Sequence, residues 1–287
     1  MKGCETLTKF YLIPNRKKDV DLSVTKQVMA LLLDEGATVY LPPSYVELEQ
    51  DGVILLKEGE QPADVECVIT VGGDGTVLDA SRIAMRRNIP LLGINLGRLG
   101  YLAELEPGQL HTLKKLITGG YAVKERMVLK VTLNRRGQEW MMPRMPVNDV
   151  VFYRSAIGHV VSLSLTQENS DGIEYLADGL ILSTPVGSTA YSLSAGGPIL
   201  SPEVEAVCAT PICPHSFYNR SLIFDVGRPL CVRNTSDTDS ITVTMDGREN
   251  FLLEPGDSVT VERAPVSLRL IAFEERNFLD LLRTKMK

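Results

Sequence analysis

A carboxylate inside a glycine-rich turn calls for an explanation. Asp74 lies in Val71-Gly72-Gly73-Asp74-Gly75-Thr76-Val77-Leu78, between an apolar run and an amphipathic stretch. Glycines let the main chain come close to a bulky anion, and the N-terminus of a following helix favours negative charge. A carboxylate there repels phosphate unless it takes a proton from an attacking hydroxyl or holds a neutralising cation. Asp74 is therefore a catalytic candidate, and Gly72, Gly73, Gly75 and Thr76 are candidate anion-binding positions. The plainer alternative is a strand-to-helix turn with Asp74 as the helix cap. The segment is neither G-x-x-x-x-G-K-[ST] nor G-x-G-x-x-G, so the P-loop and Rossmann fingerprints are both absent.

A second segment, residues 178–198, runs from Asp178-Gly179 through Thr189-Ala190-Tyr191-Ser192-Leu193-Ser194 to Gly196-Gly197-Pro198. Its hydroxyls and glycines offer small hydrogen-bonding groups without bulk, as a polar ligand such as a nucleotide requires. Taken alone, such a stretch is more readily an ordinary loop. Asn95 with Gly93, Gly97 and Gly100 reads equally as cleft lining or as a strand-end turn, and Tyr101 and Tyr191 as stacking platforms or core. His159 and His215 lack the spacing of a metal site and read as structural hydrogen-bonders.

These residues need a frame to hold them. In the first third, short apolar runs alternate with amphipathic stretches, the pattern of parallel strands joined by crossover helices. Strands are predicted at residues 10–13, 37–41, 66–71 and 90–95, with helices at 21–35, closed by Gly36, and at 77–87. Residues 42–61 show no period and read as a loop-rich insert. Beyond residue 124 the texture turns to β-branched runs between turn residues, including 128–133, 147–152, 159–165, 241–245 and 258–262, which predicts antiparallel strands. The expected domains are residues 1–125, an α/β unit carrying the Asp74 loop, and 126–266, a β-rich unit. A C-terminal segment, 267–287, begins as a strand, ends as a helix and could pack on either.

Bulk properties narrow the partners. A chain of 287 residues with 44% hydrophobic and 23% charged residues is long enough for two folded domains and a deep cleft. Its net charge of −6 argues against nucleic-acid or anionic-membrane partners, which are usually held by a positive field. Five cysteines without a CxxC pair fit a reducing compartment and read as buried small hydrophobes. With no signal-peptide pattern and no apolar run near 18 residues, a cytoplasmic location is expected.

In these motifs and their order the chain resembles the NAD kinase family. The resemblance rests on Gly72 to Thr76, Gly93 to Leu102, Asn148-Asp149, Asp178 to Pro198, Pro211-Ile212-Cys213-Pro214-His215-Ser216 and Asp246-Gly247. The glycine loop alone is shared with lipid kinases of the diacylglycerol and sphingosine type; the long block is far more specific. The resemblance implies an α/β N-terminal domain with a parallel sheet, a β-rich C-terminal domain (an NAD kinase/diacylglycerol kinase-like fold) and a homodimer or homotetramer. It implies phosphoryl transfer to the 2′-hydroxyl of the adenosine ribose of NAD, with ATP or polyphosphate as donor and Mg²⁺ arriving with that donor. Asp74 becomes the proton acceptor. Asn148, Asp149, His159, Asp178, Thr189, Ala190, Tyr191, Ser192, Ser194, Asp246 and Arg248 become nucleotide contacts. Asp149 stands where the family often has Glu, Ala177 where some members have Arg, and Arg248 where many have Gln. A lipid kinase sharing the glycine loop, or a non-catalytic NAD(P)-binding sensor, are the rival readings; the hydroxyl-rich block argues against the first and the retained Asp74 against the second.

Overall fold

Leu12, Val39, Ile69 and Leu92 are fully buried residues of four neighbouring strands, and their packing sets the architecture of the first third. The computed structural model describes residues 5–60, 62–97, 100–156, 159–168, 170–215, 219–273 and 278–285. Two compact units divide the chain: residues 1–125 with 268–287, and residues 126–267.

In the first unit, β1 (Lys9–Pro14), α1 (Ser23–Asp34), β2 (Thr38–Leu41), β3 (Val53–Leu55), β4 (Cys67–Gly72), α2 (Asp74–Arg87) and β5 (Leu91–Asn95) follow in order. The strands pair in parallel in the order β5-β4-β1-β2-β3. Strands buried on both faces read as continuous apolar runs, which is why β4 is buried at every residue. Helix α1 packs Val28, Met29 and Leu32 into the core, and Gly36, with φ +77°, follows its end. A short helix α3 (Lys114–Ile117) closes this stretch of chain.

Two expectations are corrected here. Helix α2 begins at Asp74 rather than Val77, because Asp74, Gly75 and Thr76 of the loop form the first turn of the helix itself. The insert at 42–61 is not structureless: a 3₁₀ turn spans Val46–Leu48, and β3 extends the sheet beside β2. Both pieces are too short to show a period, and tertiary packing of Tyr45 and Leu48 fixes them.

The second unit is built mainly from β6 (Ala122–Arg135), β7 (Gln138–Met141), β8 (Asp149–Arg154), β9 (Val161–Gln167), β10 (Ile173–Ala177), β11 (Gly179–Ser183), α4 (Tyr191–Ser194), β12 (Ala206–Ile212), β13 (Leu222–Asp225), β14 (Leu230–Asn234), β15 (Ile241–Met245), β16 (Glu249–Leu253) and β17 (Ser258–Ala272). One sheet has six antiparallel strands in the order β13-β12-β11-β8-β15-β16. The other runs β10-β9-β14-β17, with β6 on β17 and β7 on β6. Both contribute to one core, in which Leu129, Phe152, Leu163, Leu180 and Val259 are fully buried. Strand β17 runs unbroken through residue 267, where two separate strands are expected from the sequence, and its last residues pair in parallel with β5. It is followed by α5 (Phe278–Lys285).

Cysteine placement is mixed. Cys67 and Cys208 are buried as expected, whereas Cys231 is half-buried and Cys213 is exposed. Cys213 follows the last residue of β12 with φ +45°, so the turn carries its side chain away from the core. No helix among the described residues is long and apolar enough to cross a membrane.

Candidate functional site

Each unit carries one half of the expected chemistry. In the first unit, β4 ends at Gly72, Gly73 precedes α2 in extended conformation, and Asp74 is the first helical residue. Its carboxylate is half-buried and held by main-chain donors: Tyr101 N–H donates to Oδ2 at 2.7 Å and Leu102 N–H to Oδ1 at 3.2 Å. That clamp requires Gly100, because a β-carbon there would overlap the Asp74 carboxylate. The other glycines have different reasons. Gly72 leaves room for the Thr76 hydroxyl, which accepts from Gly73 N–H at 3.4 Å and from Asn15 Nδ2 at 2.9 Å. Gly93 lets Ala103 pack directly on β5, and so is a packing residue. The Tyr101 phenol is pushed up by burial and by the Asp74 charge.

In the second unit, a cavity of about 380 Å³ is lined by Asn148, Asp149, Val151, Ala190, Tyr191, Thr244, Asp246 and Gly247. Side chains two apart on a strand share a face, and cross-strand partners stand together. Asp149 and Val151 alternate along β8, while Thr244 pairs directly with Val151 across to β15. Asp246 follows at the β15–β16 turn, where Asp246 and Gly247 both take positive φ, a conformation Asp and Gly tolerate.

Asp246 is the hub of this pocket. Its Oδ1 accepts from Asn148 N–H at 2.7 Å and Asp149 N–H at 3.2 Å, and its Oδ2 from Val147 N–H at 3.0 Å. Buried Arg144 lies 3.7 Å from Asp246 and 3.5 Å from Glu249. On its other side Asn148 passes its carbonyl to Thr184 N–H at 2.8 Å, and Gly187 presses on that carbonyl where no β-carbon would fit. The Asn148 main chain is thus pinned from both flanks. Burial first, then the neighbouring Asp246, pushes the Asp149 carboxyl up to about 7. Asp246 is also raised, by burial, against the opposing pull of its three amide donors and Arg144.

The hydroxyl-rich block is used differently from its sequence reading. Thr184 Oγ1 donates to Val147 O at 2.6 Å, Ser188 Oγ to Pro185 O at 2.5 Å and Thr189 Oγ1 to Val186 O at 2.9 Å. Fully buried Ser192 pairs with the Thr210 hydroxyl at 3.0 Å. Most of these hydroxyls therefore shape the turn, and Ala190 and Tyr191 reach the cavity. Tyr191 is 43% exposed, and its phenol is raised mainly by burial, with Asp149 and Asp178 adding to the shift.

Among the expected contacts, Asn148, Asp149, Ala190, Tyr191 and Asp246 line the cavity; Thr189, Ser192 and Ser194 do not. Asp178 pairs with Arg154 at 3.2 Å. His159 and Arg248 are exposed and outside the lining. His215 donates its N–H to Leu176 O at 2.7 Å. Arg98, Leu99 and Ser216, part of the motifs quoted above, lie outside the described residues. Sequence reasoning missed Arg144, Val151 and Thr244, and had Gly247 only as part of the Asp246-Gly247 motif. Val151 and Thr244 were legible only as strand alternation, and Arg144 carried no signal.

Residues 10–121 match the ATP-NAD kinase N-terminal domain and residues 147–273 the ATP-NAD kinase C-terminal domain. The NAD kinase of Lachnoclostridium phytofermentans is 37% identical, over 97% of this chain and 99% of that one. The NAD kinase of Carboxydothermus hydrogenoformans is 38% identical, over 85% of this chain and 87% of that one. In fold, the chain is similar to the crystal structure of yeast NADH kinase complexed with NADH (TM-score 0.83, 23% identity, 97% of this chain and 87% of that one). It is also similar in fold to an NAD kinase from Archaeoglobus fulgidus in complex with ATP (TM-score 0.75, 22% identity, 97% and 98%).

Proposed function

The chain belongs to the NAD kinase family and is a phosphotransferase acting on NAD, and we propose that Asp74 accepts the proton of the adenosine 2′-hydroxyl as that oxygen attacks the donor. The observation that carries this is the Asp74 carboxylate itself, oriented by two amide donors at the start of α2 and directly after two glycines.

The ribose 2′-oxygen forms a bond to the γ-phosphorus of ATP while the bond from that phosphorus to the β,γ-bridging oxygen breaks. ADP leaves, and the proton passes to Asp74 and then to solvent. Phosphoryl transfer asks little covalent chemistry of a protein, so alignment and charge neutralisation supply the catalysis. The glycine main chain and the α2 N-terminus favour the donor phosphates. Mg²⁺ is part of the donor: it is carried by the phosphate oxygens and neutralises their charge when bound.

Asn148, Asp149, Ala190 and Tyr191 are proposed to hold the adenosine end of NAD in the cavity, with Tyr191 offering its ring face. Asp246 acts through the amides it holds and Arg144 through Asp246. Contacts by His159, Asp178, Thr189, Ser192, Ser194 and Arg248 are supported by the family resemblance alone. The cysteines, read as those of a reducing compartment, support a cytoplasmic location, the family resemblance supports a homo-oligomer, and exposed Trp140 and Met141 on β7 are apolar surface that such an assembly would cover.

The test is NADP formation by purified protein with ATP, Mg²⁺ and NAD, read through an NADP-specific dehydrogenase. Accumulation with the wild type and its loss in Asp74→Asn support the proposal; full activity of the variant refutes it.

A further inference from the structure

We infer that Lys18 is a donor-binding residue, a cation that takes the phosphoanhydride chain of the phosphoryl donor over the glycine loop. The inference rests on the assignment of that loop to phosphoryl transfer made above.

Topology explains why the segment after β1 matters. The chain leaves β1 toward β2 through α1, and leaves β4 toward β5 through α2, on opposite sides of the β1–β4 pair. In an open parallel sheet, the carboxyl ends of two such strands bound a crevice where ligands bind. The glycine loop follows β4, and residues 15–22 follow β1, so these two segments are the lips of that crevice.

The β1 lip is fixed, not loose. Asn15 N–H donates to Val71 O, and Asn15 O accepts from both Lys18 N–H and Asp19 N–H, each at 2.9 Å. The Asn15 side chain bonds to the Thr76 hydroxyl and accepts from Lys17 N–H at 3.0 Å. Buried Asp19 then anchors the far side, accepting from Thr25 N–H at 2.8 Å and the Thr25 hydroxyl at 2.6 Å. The main chain of exposed Lys18 is thus held between two anchored residues, and its ammonium lies against Gly73, where a β-carbon would collide with Nζ. A β-carbon on Gly97 would stand 3.9 Å from the same nitrogen. Gly73 has an extended φ of −150°, which any residue adopts, and its missing side chain leaves the space over the loop that the ammonium occupies.

The charge placement then asks for an anion. An ammonium beside a helix N-terminus puts two positive ends together, which is unfavourable on its own. The Asp74 carboxylate is directed to the Tyr101 and Leu102 amides, and among the described residues no carboxylate forms an ion pair with Lys18. A phosphate chain between the Lys18 ammonium and the head of α2 satisfies both, and Lys suits it as a compact, strongly hydrated point charge.

The experiment first establishes the wild-type donor by assaying MgATP and inorganic polyphosphate separately. The dissociation constants of that donor and of NAD are then measured for wild type, Lys18→Met and Lys18→Arg, with circular dichroism to check folding. Loss of one charge-assisted contact predicts roughly ten- to hundred-fold weaker donor binding in Lys18→Met. NAD affinity should stay within about two-fold, and Lys18→Arg should recover most of the loss. Unchanged donor affinity in Lys18→Met, or an equal loss of NAD affinity, overturns the inference. Asp74→Asn separates the two claims: full turnover of that variant removes the reading of the loop, whereas its inactivity beside normal donor binding by Lys18→Met removes Lys18 alone.

Discussion

Asp74 and Asp246 are both aspartates with two oxygens on main-chain amides, yet the two units employ them in opposite ways. Asp74 is half-buried, at the head of a helix, with glycines on both sides. Asp246 is buried, takes three amides, and has Arg144 and a second carboxyl beside it. The first arrangement orients a half-buried carboxylate at a helix start, as the proposed proton acceptor requires; the second uses a carboxylate as mortar for the main chain of other residues. Asp149 is a third case, buried next to Asp246 and pushed up to about 7, so that its protonated form is favoured far more than in an ordinary surface carboxylate. Residue type alone assigns no role; donors, burial and neighbours do.

Substitutions can break this comparison at each point. Asp74→Asn keeps the shape and removes the acceptor, and turnover should fall on the order of 100-fold to 10,000-fold. Gly100→Ala leaves Asp74 in place chemically but forces its carboxylate to move. A displacement of about 1 Å can cost about 100-fold, so kcat should fall by that order while the thermal midpoint changes little. Equal activity in Gly100→Ala would mean that the Tyr101–Leu102 clamp does not matter for the reaction.

Asp246→Ala should act on the other side of the comparison. It strands three amide donors and the Arg144 charge, at a cost of about 1–3 kcal/mol for each buried group left unpaired. Urea denaturation should show destabilisation of at least about 4 kcal/mol, accompanied by a raised KM for NAD. Asp246→Asn, which retains one acceptor oxygen, should lie between the two.

A further effect concerns pH. The folded-state Asp149 carboxyl binds its proton up to about pH 7, whereas the unfolded chain releases it near 4. The folded state therefore holds more protons over that interval, and stability should decline as pH rises from about 4 to about 7. Asp149→Asn should flatten this decline in thermal midpoints recorded across the range, and an unchanged slope would assign it to other groups.

Much of this frame was visible in the sequence because its signals are local. The run from Val71 to Leu78 announces a strand, a tight turn and a helix within eight residues, and alternating residues announce β8 and β15. What stayed hidden depends on pairing across the chain. Asp246 meets its amide donors 97 to 99 positions away, and nothing near Asp246-Gly247 hints at them. Lys18 reads as one of several surface cations until β1 is seen beside β4. The hydroxyls of residues 184–192 looked like ligand donors because sequence carries no record of which donors the turn itself consumes. Gly100 and Gly93 look alike in the sequence, and only the fold shows that one makes room for a carboxylate and the other for Ala103.

The central claim is that Asp74 serves the chemical step and not NAD binding. Its most direct test sets the turnover of Asp74→Asn beside its NAD dissociation constant, measured on the same folded preparation. The account predicts turnover reduced at least about 100-fold with NAD affinity within about two-fold of wild type. Retained turnover, or a loss of NAD affinity as large as the loss of rate, would contradict it.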